Sequence, residues 1–454
     1  MLKKTNQAGL IMFTLILAAS IFVLSGCPSK GVNLKGALIT AGSWWQDYDT
    51  ATTEPRAENE EKELEWRLKV EKDYGFKHVV EIVGDWDNYL PLVVNNIMSG
   101  NKKFSYYQVA SEMAIVLYKQ GLLYPVSDSK AVDFKNREII PFEKNMYNGI
   151  VDDYMTFGGK TYGWGYGLPN NGWGQSMLYF NPKFLADAGI GVEYLYDLQR
   201  DNKWTWDAFL DVCRKLTRDT NNDGITDIYA IHIDDAREFL GGGLIIGNGG
   251  DFVTLDANGK AQSAVNSPNV IEAINFFNQL INEGLVQTSE YYDWGSNWTA
   301  FVDQRIAMTF DPEWRKGQMN DGFEAGYVLP PRGPRSATIR LGVMDGCNVI
   351  PSFFSPEEVD IILKGTEIWC APPEADWMQG HYWASRNIRD VTETVAMSRD
   401  VKYLVPRYDL IIPGYPYGDF IAAIRADGSG NVAASQAIES FTPRFQAAID
   451  DFNR

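Results

Sequence analysis

The sequence predicts an α/β protein built of two lobes, and three observations predict it. At 454 residues the chain is long for one domain, so two units are the default. Its N-terminal part alternates strand-like and helix-like stretches, the pattern of a parallel sheet covered by helices. With 45% hydrophobic and 13% aromatic residues, it also has enough apolar surface to fill more than one core.

Taken in order, Gly36 to Thr40 reads as a first strand ending at Ser43-Trp44-Trp45. A polar helix runs from about Asn59 to Tyr74 and stops at Gly75. Phe76 to Val83 is a second strand. Asp85 then caps a helix in which Leu90, Val93, Val94 and Ile97 share one face, and Gly100 ends it. Phe104 to Ala110 is a third strand, and Ser111-Glu112 opens a short helix. This order gives a parallel sheet with right-handed crossovers, and ligands of such sheets sit beyond the carboxyl ends of the strands. Two of those ends carry Trp44-Trp45 and Ser111-Glu112.

The stretch Tyr162 to Ile190 changes character halfway. Trp164, Tyr166, Asn170, Asn171, Trp173 and Gln175 form an aromatic, amide-rich half with little charge. Such rings on a Gly/Pro-rich backbone are costly to leave in water. The lip of a cleft and an ordinary buried loop both fit these residues. Met177 to Phe180 is then a strand, and Asn181-Pro182 starts a helix. Thr205 starts another, with Phe209, Leu210, Cys213 and Leu216 on one face, followed by a strand over Ile228 to Ile233. Gly241 to Gly250 reads as a glycine-rich loop. Ser267-Pro268 opens a helix closed by Gly284, and Ile306 to Phe310 is a strand. Near Leu329-Pro330-Pro331 the chain is expected to return to the first lobe, with a strand around Leu341 to Val343. A final helix spans about Val432 to Phe452, where Pro443 should kink or split it.

The first 26 residues fall outside this fold. Lys3 and Lys4 precede an apolar run from Leu10 to Leu24, and Leu24-Ser25-Gly26-Cys27 has the form of a bacterial lipobox. The apolar run is short and Pro28 follows directly, which disfavours a membrane-spanning helix. The pattern resembles a lipoprotein signal peptide cleaved before Cys27, whose sulfur takes the lipid; the chain is then exported and anchored without crossing the membrane. Removing residues 1–26 takes away two Lys and no acid, so a formal charge of −18 becomes −20. So acidic a protein disfavours nucleic acid and anionic lipid.

Several catalytic patterns fail. Gly159-Lys160-Thr161 imitates the end of a phosphate-binding loop, but Tyr154 stands where the first glycine should be. His78, His232 and His381 are far apart, and no GxSxG is present. A carboxylate pair of the glycoside hydrolase kind remains open, because its two acids need be close only in space. Asp219 to Asp227 matches part of a calcium loop, yet Ala230 occupies the twelfth position, so a polar turn fits as well. Cys213, Cys347 and Cys370 contain no CxxC; a Cys347–Cys370 bridge and buried free thiols are the two readings, with free thiols favoured. No metal or cofactor is expected.

The segments GLLYPV (121–126), GKTYGWGYGLP (159–169), MLYFNPKFLADAGI (177–190) and TWDAFLDVCRKLTRDTNNDGITDIYAI (205–231) carry a likeness, together with the lipobox. FFNQLINEGLVQ (276–287), FVDQRIAMTFDPEW (301–314) and SGNVAASQAIESF (429–441) continue it. In order and spacing the chain resembles the extracellular solute-binding proteins of bacterial ABC transporters, in the carbohydrate-binding group that includes maltose-binding protein. The resemblance implies a periplasmic-binding-protein-like fold: two α/β lobes, a three-segment hinge and a ligand cleft between the lobes. It places crossings near 172–176, 325–330 and 390–400. The resulting division is a signal peptide at 1–26, a tether at 27–35, lobe one at 36–172 and 330–390, and lobe two at 173–329 and 391–454. Two departures stand out: Tyr106-Tyr107-Gln108 replaces the usual Asp closing the third strand, and Trp369 to Tyr417 is hard to match.

The resemblance implies a binder, not an enzyme: a monomer that captures a mono- or oligosaccharide and delivers it to a membrane permease. A peptide or polyamine in the same fold is the variant reading. Sugar rings offer an apolar face to aromatics and hydroxyls to acids and amides. By family position Trp314 is the first candidate stacking platform, with Trp45 and Trp173 next. Glu112, Gln175, Asp311 and Asp345 are candidates to bond hydroxyls, and Tyr417 completes the expected contacts.

Overall fold

The computed structural model describes residues 33–55, 58–133, 138–139, 144–145, 154–165, 176–235, 237–288, 295–312, 315, 324–343, 346–370, 392–400, 402–425 and 433–454. Cys27, Trp173, Gln175, Trp314 and Asp345 lie outside them.

The first lobe is organised by strands β1 (Ala37–Ser43), β2 (Phe76–Ile82) and β3 (Tyr106–Val109). β1 is central and parallel to both others, with Ser43 opposite Ile82 and Gly42 opposite Tyr107. The expected alternation of strand and helix is therefore present, with helices Glu58–Tyr74 and Trp86–Met98 as the connections. β4 (Trp164–Gly165) and β9 (Cys347–Val349) extend the sheet beyond β3, both antiparallel to their neighbours, and Tyr48–Asp49 closes the other edge. Successive side chains on a strand face opposite ways. Tyr106 accordingly packs with Ile39, Trp164, Leu363 and Trp369, while Tyr107 packs with Tyr89, Val93 and Val109. His78 is buried in the first of these layers, stacked on Trp369 at 4.1 Å with its Nε2 3.1 Å from the Tyr106 hydroxyl. Burial, helped by Arg67 and Lys77, pulls its pKa down to about 3.

The second lobe centres on β5 (Ser176–Phe180), flanked antiparallel by β6 (Met308–Pro312) and β7 (Gly326–Val328). Leu178 faces Phe310 on one side and Val328 on the other. Caps read from the sequence are in place: the side chains of Asp85, Asn181, Thr205 and Ser267 accept from the amides of Asn88, Lys183, Ala208 and Val270.

Four elements differ from expectation. The strand around Leu341, placed in the first lobe by sequence, is β8 (Leu341–Val343); it pairs with β10 (Leu404–Pro406) and packs with Tyr179 and Tyr327. The strand over Ile228 to Ile233 shortens to Ile231–His232. The glycine-rich stretch is helical, a π-helix over Arg237–Ile245. Its glycines are there for close approach: a Cβ on Gly241 would lie 1.7 Å from the Tyr417 hydroxyl oxygen. The terminal helix Ala434–Phe452 runs unsplit through Pro443, and the Thr442 hydroxyl donates to the Ile438 carbonyl one turn back. Cys213, Cys347 and Cys370 are free thiols.

Gly326 on β7 tests the packing of the second lobe. A Cβ there would lie 2.0 to 2.6 Å from three atoms of the buried Phe180 ring. Gly326→Ala is expected to cost about 1–3 kcal/mol by overpacking, read as a lower melting temperature with the far-UV spectrum preserved. An unchanged melting temperature would show that the ring moves freely.

Candidate functional site

The carboxyl ends of β1, β2 and β3 lie side by side, and the chain leaves each through a residue of functional interest. β1 runs into Trp44-Trp45. β2 leads through Val83-Gly84 to Asp85 and Trp86, and β3 leads to Ser111-Glu112. One side chain ties this edge together. The Tyr89 hydroxyl lies 2.8 Å from the Gly42 carbonyl oxygen and 2.7 Å from that of Gln108, bridging β1 and β3. Trp44 packs edge-on against Tyr89, Trp45 and Trp86, with centroids at 5.1, 4.3 and 5.4 Å. Ser111 bonds the Tyr154 hydroxyl at 2.8 Å.

Glu112, in the first turn of its helix, faces a cavity of about 340 Å³ whose other walls come from residues 409–425. That volume falls in the range of small-molecule sites. Asp409, Tyr415, Tyr417 and Arg425 are its polar lining. The helix Tyr417–Arg425 packs on the π-helix, which in turn packs on β5 and β6, and the turn Tyr408–Ile411 packs on the helix that carries Glu112. Arg425 is ion-paired with Asp234, which also accepts from the Ser296 hydroxyl at 2.9 Å.

Behind the wall Arg407 and Asp409 form a buried two-pronged pair, Nε–Oδ1 2.8 Å and Nη2–Oδ2 2.6 Å. The guanidinium also lies 4.8 Å from the Tyr417 ring centroid and 5.4 Å from that of Phe252. Burial works against its charge, but Asp409 and the Tyr417 hydroxyl outweigh it and raise the pKa above the ordinary arginine value. Pairing of this geometry is what makes two buried charges tolerable.

The predicted residues fall into three groups. Trp45 is 41% exposed at the sheet edge, Glu112 faces the cavity, and Tyr417 forms part of its wall while 9% exposed. Asp311, expected to bond a ligand hydroxyl, is instead 4% exposed inside the second lobe. Its Oδ1 accepts from Arg315 Nε at 3.1 Å and its Oδ2 from Asn297 at 2.9 Å, so both oxygens are engaged within the protein. Burial raises its pKa, Arg315 opposes and Glu238 adds. Trp173, Gln175, Trp314 and Asp345 lie outside the described residues. The sequence reading missed Tyr89, Trp86, Asp409, Tyr415 and Arg425. Only Trp86, adjacent to the Asp85 cap, carried a local signal; Arg425 and Asp234 are 191 residues apart.

The calcium-like turn binds itself. Asp219 accepts from the amides of Asn221, Asn222 and Gly224, and Asp227 from Thr220. Those bonds, that from Gly224 foremost, hold the Asp219 pKa below the usual range. Among the described residues, no cluster of His, Cys, Asp and Glu could hold a metal ion, and no helix is long and apolar enough to cross a membrane.

Two α/β lobes with a polar cavity opening between a sheet edge and a facing helix define a class of two-lobed ligand binders. The chain belongs to the bacterial extracellular solute-binding protein family, whose sequence pattern matches residues 66–344. It is 23% identical over 337 residues to the fructooligosaccharide ABC transporter substrate-binding protein FusA of Streptococcus pneumoniae. That match covers 69% of this chain and 59% of the relative, so the chain spans less than two thirds of the relative's length. Among solved structures, the cyclic α-maltosyl-1,6-maltose binding protein of Arthrobacter globiformis superimposes with a TM-score of 0.64 at 14% identity, covering 92% of this chain and all of that one. The GacH receptor of Streptomyces glaucescens, solved unliganded and with acarbose, gives 0.59 at 15% identity over 92% of this chain and 99% of its own.

Asp251, beside the Arg407–Asp409 pair, gives the site a pH signature. Burial pushes its carboxyl up to about 6, with Arg340 opposing and Asp409 adding. Because the folded value lies above the free value of 3.8, the fold prefers the protonated form. That stabilisation is complete below about pH 4 and is lost as pH rises through about 6. Asp251→Asn should therefore gain stability over wild type on going from about pH 4 to about pH 8, by on the order of 2 kcal/mol. Denaturant melts across this range read it; a pH-independent difference would refute the assignment.

Proposed function

We propose that the protein is an exported, lipid-anchored binder that captures a carbohydrate between its lobes and hands it unaltered to an ABC permease. The observation that carries this is the cavity walled by Glu112 from the first lobe and by Asp409, Tyr415, Tyr417 and Arg425 from the second. Glu112 and Arg425 suit sugar hydroxyls, and tyrosines suit the C–H faces. The relative in Streptococcus pneumoniae is named for fructo-oligosaccharides, and the neighbour in Arthrobacter for a cyclic maltosyl-maltose. Both favour a sugar over a peptide or polyamine. The lipobox at Cys27 supports the anchor, and the relative named for an ABC transporter supports delivery to a permease, with the chain proposed to act as a monomer. Trp314, Trp45 and Trp173 are proposed as stacking rings; Glu112, Gln175 and Asp345 are proposed to bond hydroxyls.

A hydrolase would need two carboxylates across the scissile bond, one of them able to hold or give a proton. Of the two carboxylates that face the cavity among the described residues, Asp409 has both oxygens bound by Arg407. Binding without turnover is the reading this arrangement favours.

Ligand that touches both lobes stabilises the closed form over the open one. Small-angle scattering should show compaction on adding the cognate sugar, and melting temperature should rise with ligand concentration while no product forms. An unchanged radius, or sugar turnover, would sink the proposal. Trp314→Ala is expected to weaken binding by about tenfold or more with the fold intact; calorimetry returning wild-type affinity would remove Trp314 from the site.

A further inference from the structure

We propose that Trp45 and Trp86 form an outer stacking subsite on the first lobe, so that the binding site spans at least two sugar residues and Trp86 sets its preference for chain length. The inference rests on the carbohydrate reading above and concerns a residue that reading does not use.

Three observations carry it. The first is exposure: Trp45 and Trp86 are 41% and 42% exposed, although both touch the half-buried ring of Trp44. Two large indoles left this accessible, both against the ring of Trp44, are costly in water and favourable under a flat apolar face. The second is position. The β1–β2 and β1–β3 registers set the exits of β3, β1 and β2 in one row, leading to Glu112, to Trp45 and to Trp86 respectively. Neighbouring strands are about 4.8 Å apart, so the exit toward Trp86 stands about 10 Å along the edge from the exit toward Glu112. One ring bound against Glu112 in the cavity leaves the indoles to a second ring further along the row.

The third is rigidity. Trp86 is the first residue of its helix, whose start is fixed by the Asp85 carboxylate accepting from the Asn88 amide at 3.1 Å. Just after Trp45, Asp47 accepts from the Ile82 amide at 2.7 Å, which ties that turn to β2. Trp44 is held in turn by Tyr89, the residue that bridges the strand ends. Aromatic surfaces held this way lose little freedom on binding, which favours a ligand platform.

The test uses two sugar ladders, fructo-oligosaccharides and malto-oligosaccharides, each from monosaccharide to tetrasaccharide, measured by calorimetry on the full protein. For wild type, affinity for the cognate ladder should rise with length. Trp86→Ala should lose about tenfold of affinity for the longer members and keep wild-type affinity for the shortest one bound, and Trp86→Phe should restore most of the loss. Longer ligands should also protect wild-type tryptophan fluorescence from acrylamide quenching, and protect Trp86→Ala less. Equal loss at every length would mark Trp86 as structural and overturn the subsite. So would wild-type affinity at every length, the outcome expected if this surface instead meets a protein partner. A wild type that bound neither ladder would overturn the carbohydrate reading together with the subsite, whereas a ladder that binds but ignores Trp86 overturns the subsite alone.

Discussion

The bridge from Tyr89 to the carbonyls of Gly42 and Gln108 is the constraint on which the first lobe's binding edge depends. Where parallel strands end, their last carbonyls lose ladder partners and must find others. A single hydroxyl placed between two strand ends answers this and fixes how far apart those ends stand. It also sets the floor on which Trp44 rests, and through Trp44 the positions of Trp45 and Trp86. Helices begin at the exits of β2 and β3, so amide groups as well as side chains face this edge. A polar, ring-bearing ligand is suited to such a surface.

The second lobe meets that edge with charge that is already neutralised. Arg407 is matched by Asp409 and Arg425 by Asp234. Pairing lets the wall offer directed donors and acceptors without a large net field, which suits a neutral polyhydroxylated ligand better than an ion. The close contact of Tyr417 with Gly241 shows why glycine stands in this helix: it allows the ring to sit against the backbone. A π-helical turn widens the local spacing and is a recurrent device next to binding sites. Here it packs against the helix that walls the cavity.

Much of the fold was legible in local pattern. Asp85, Asn181, Thr205 and Ser267 cap the helices their positions suggested, because a cap is a contact across two or three residues. Strands β1 to β3 and β5 were legible for the same reason. The placement of β8 was not: Leu341–Val343 is three apolar residues that suit either lobe, and only pairing with the distant β10 assigns it. Nor was the setting of Asp311 legible: an acid at a strand end looks like a ligand group, and only the fold shows Asn297 and Arg315 bonded to its two oxygens.

By itself the sequence determined the class of this protein: two α/β lobes, an aromatic and acidic composition, and an ordered set of segments that place it among solute-binding proteins. It also determined that β1 and β3 end in Trp44-Trp45 and Ser111-Glu112. Only the tertiary structure decided which side chains share a cavity, since Glu112 and Arg425 are more than three hundred positions apart. Burial and pairing depend on what other parts of the chain bring to a point in space, and no window of neighbouring residues contains that information.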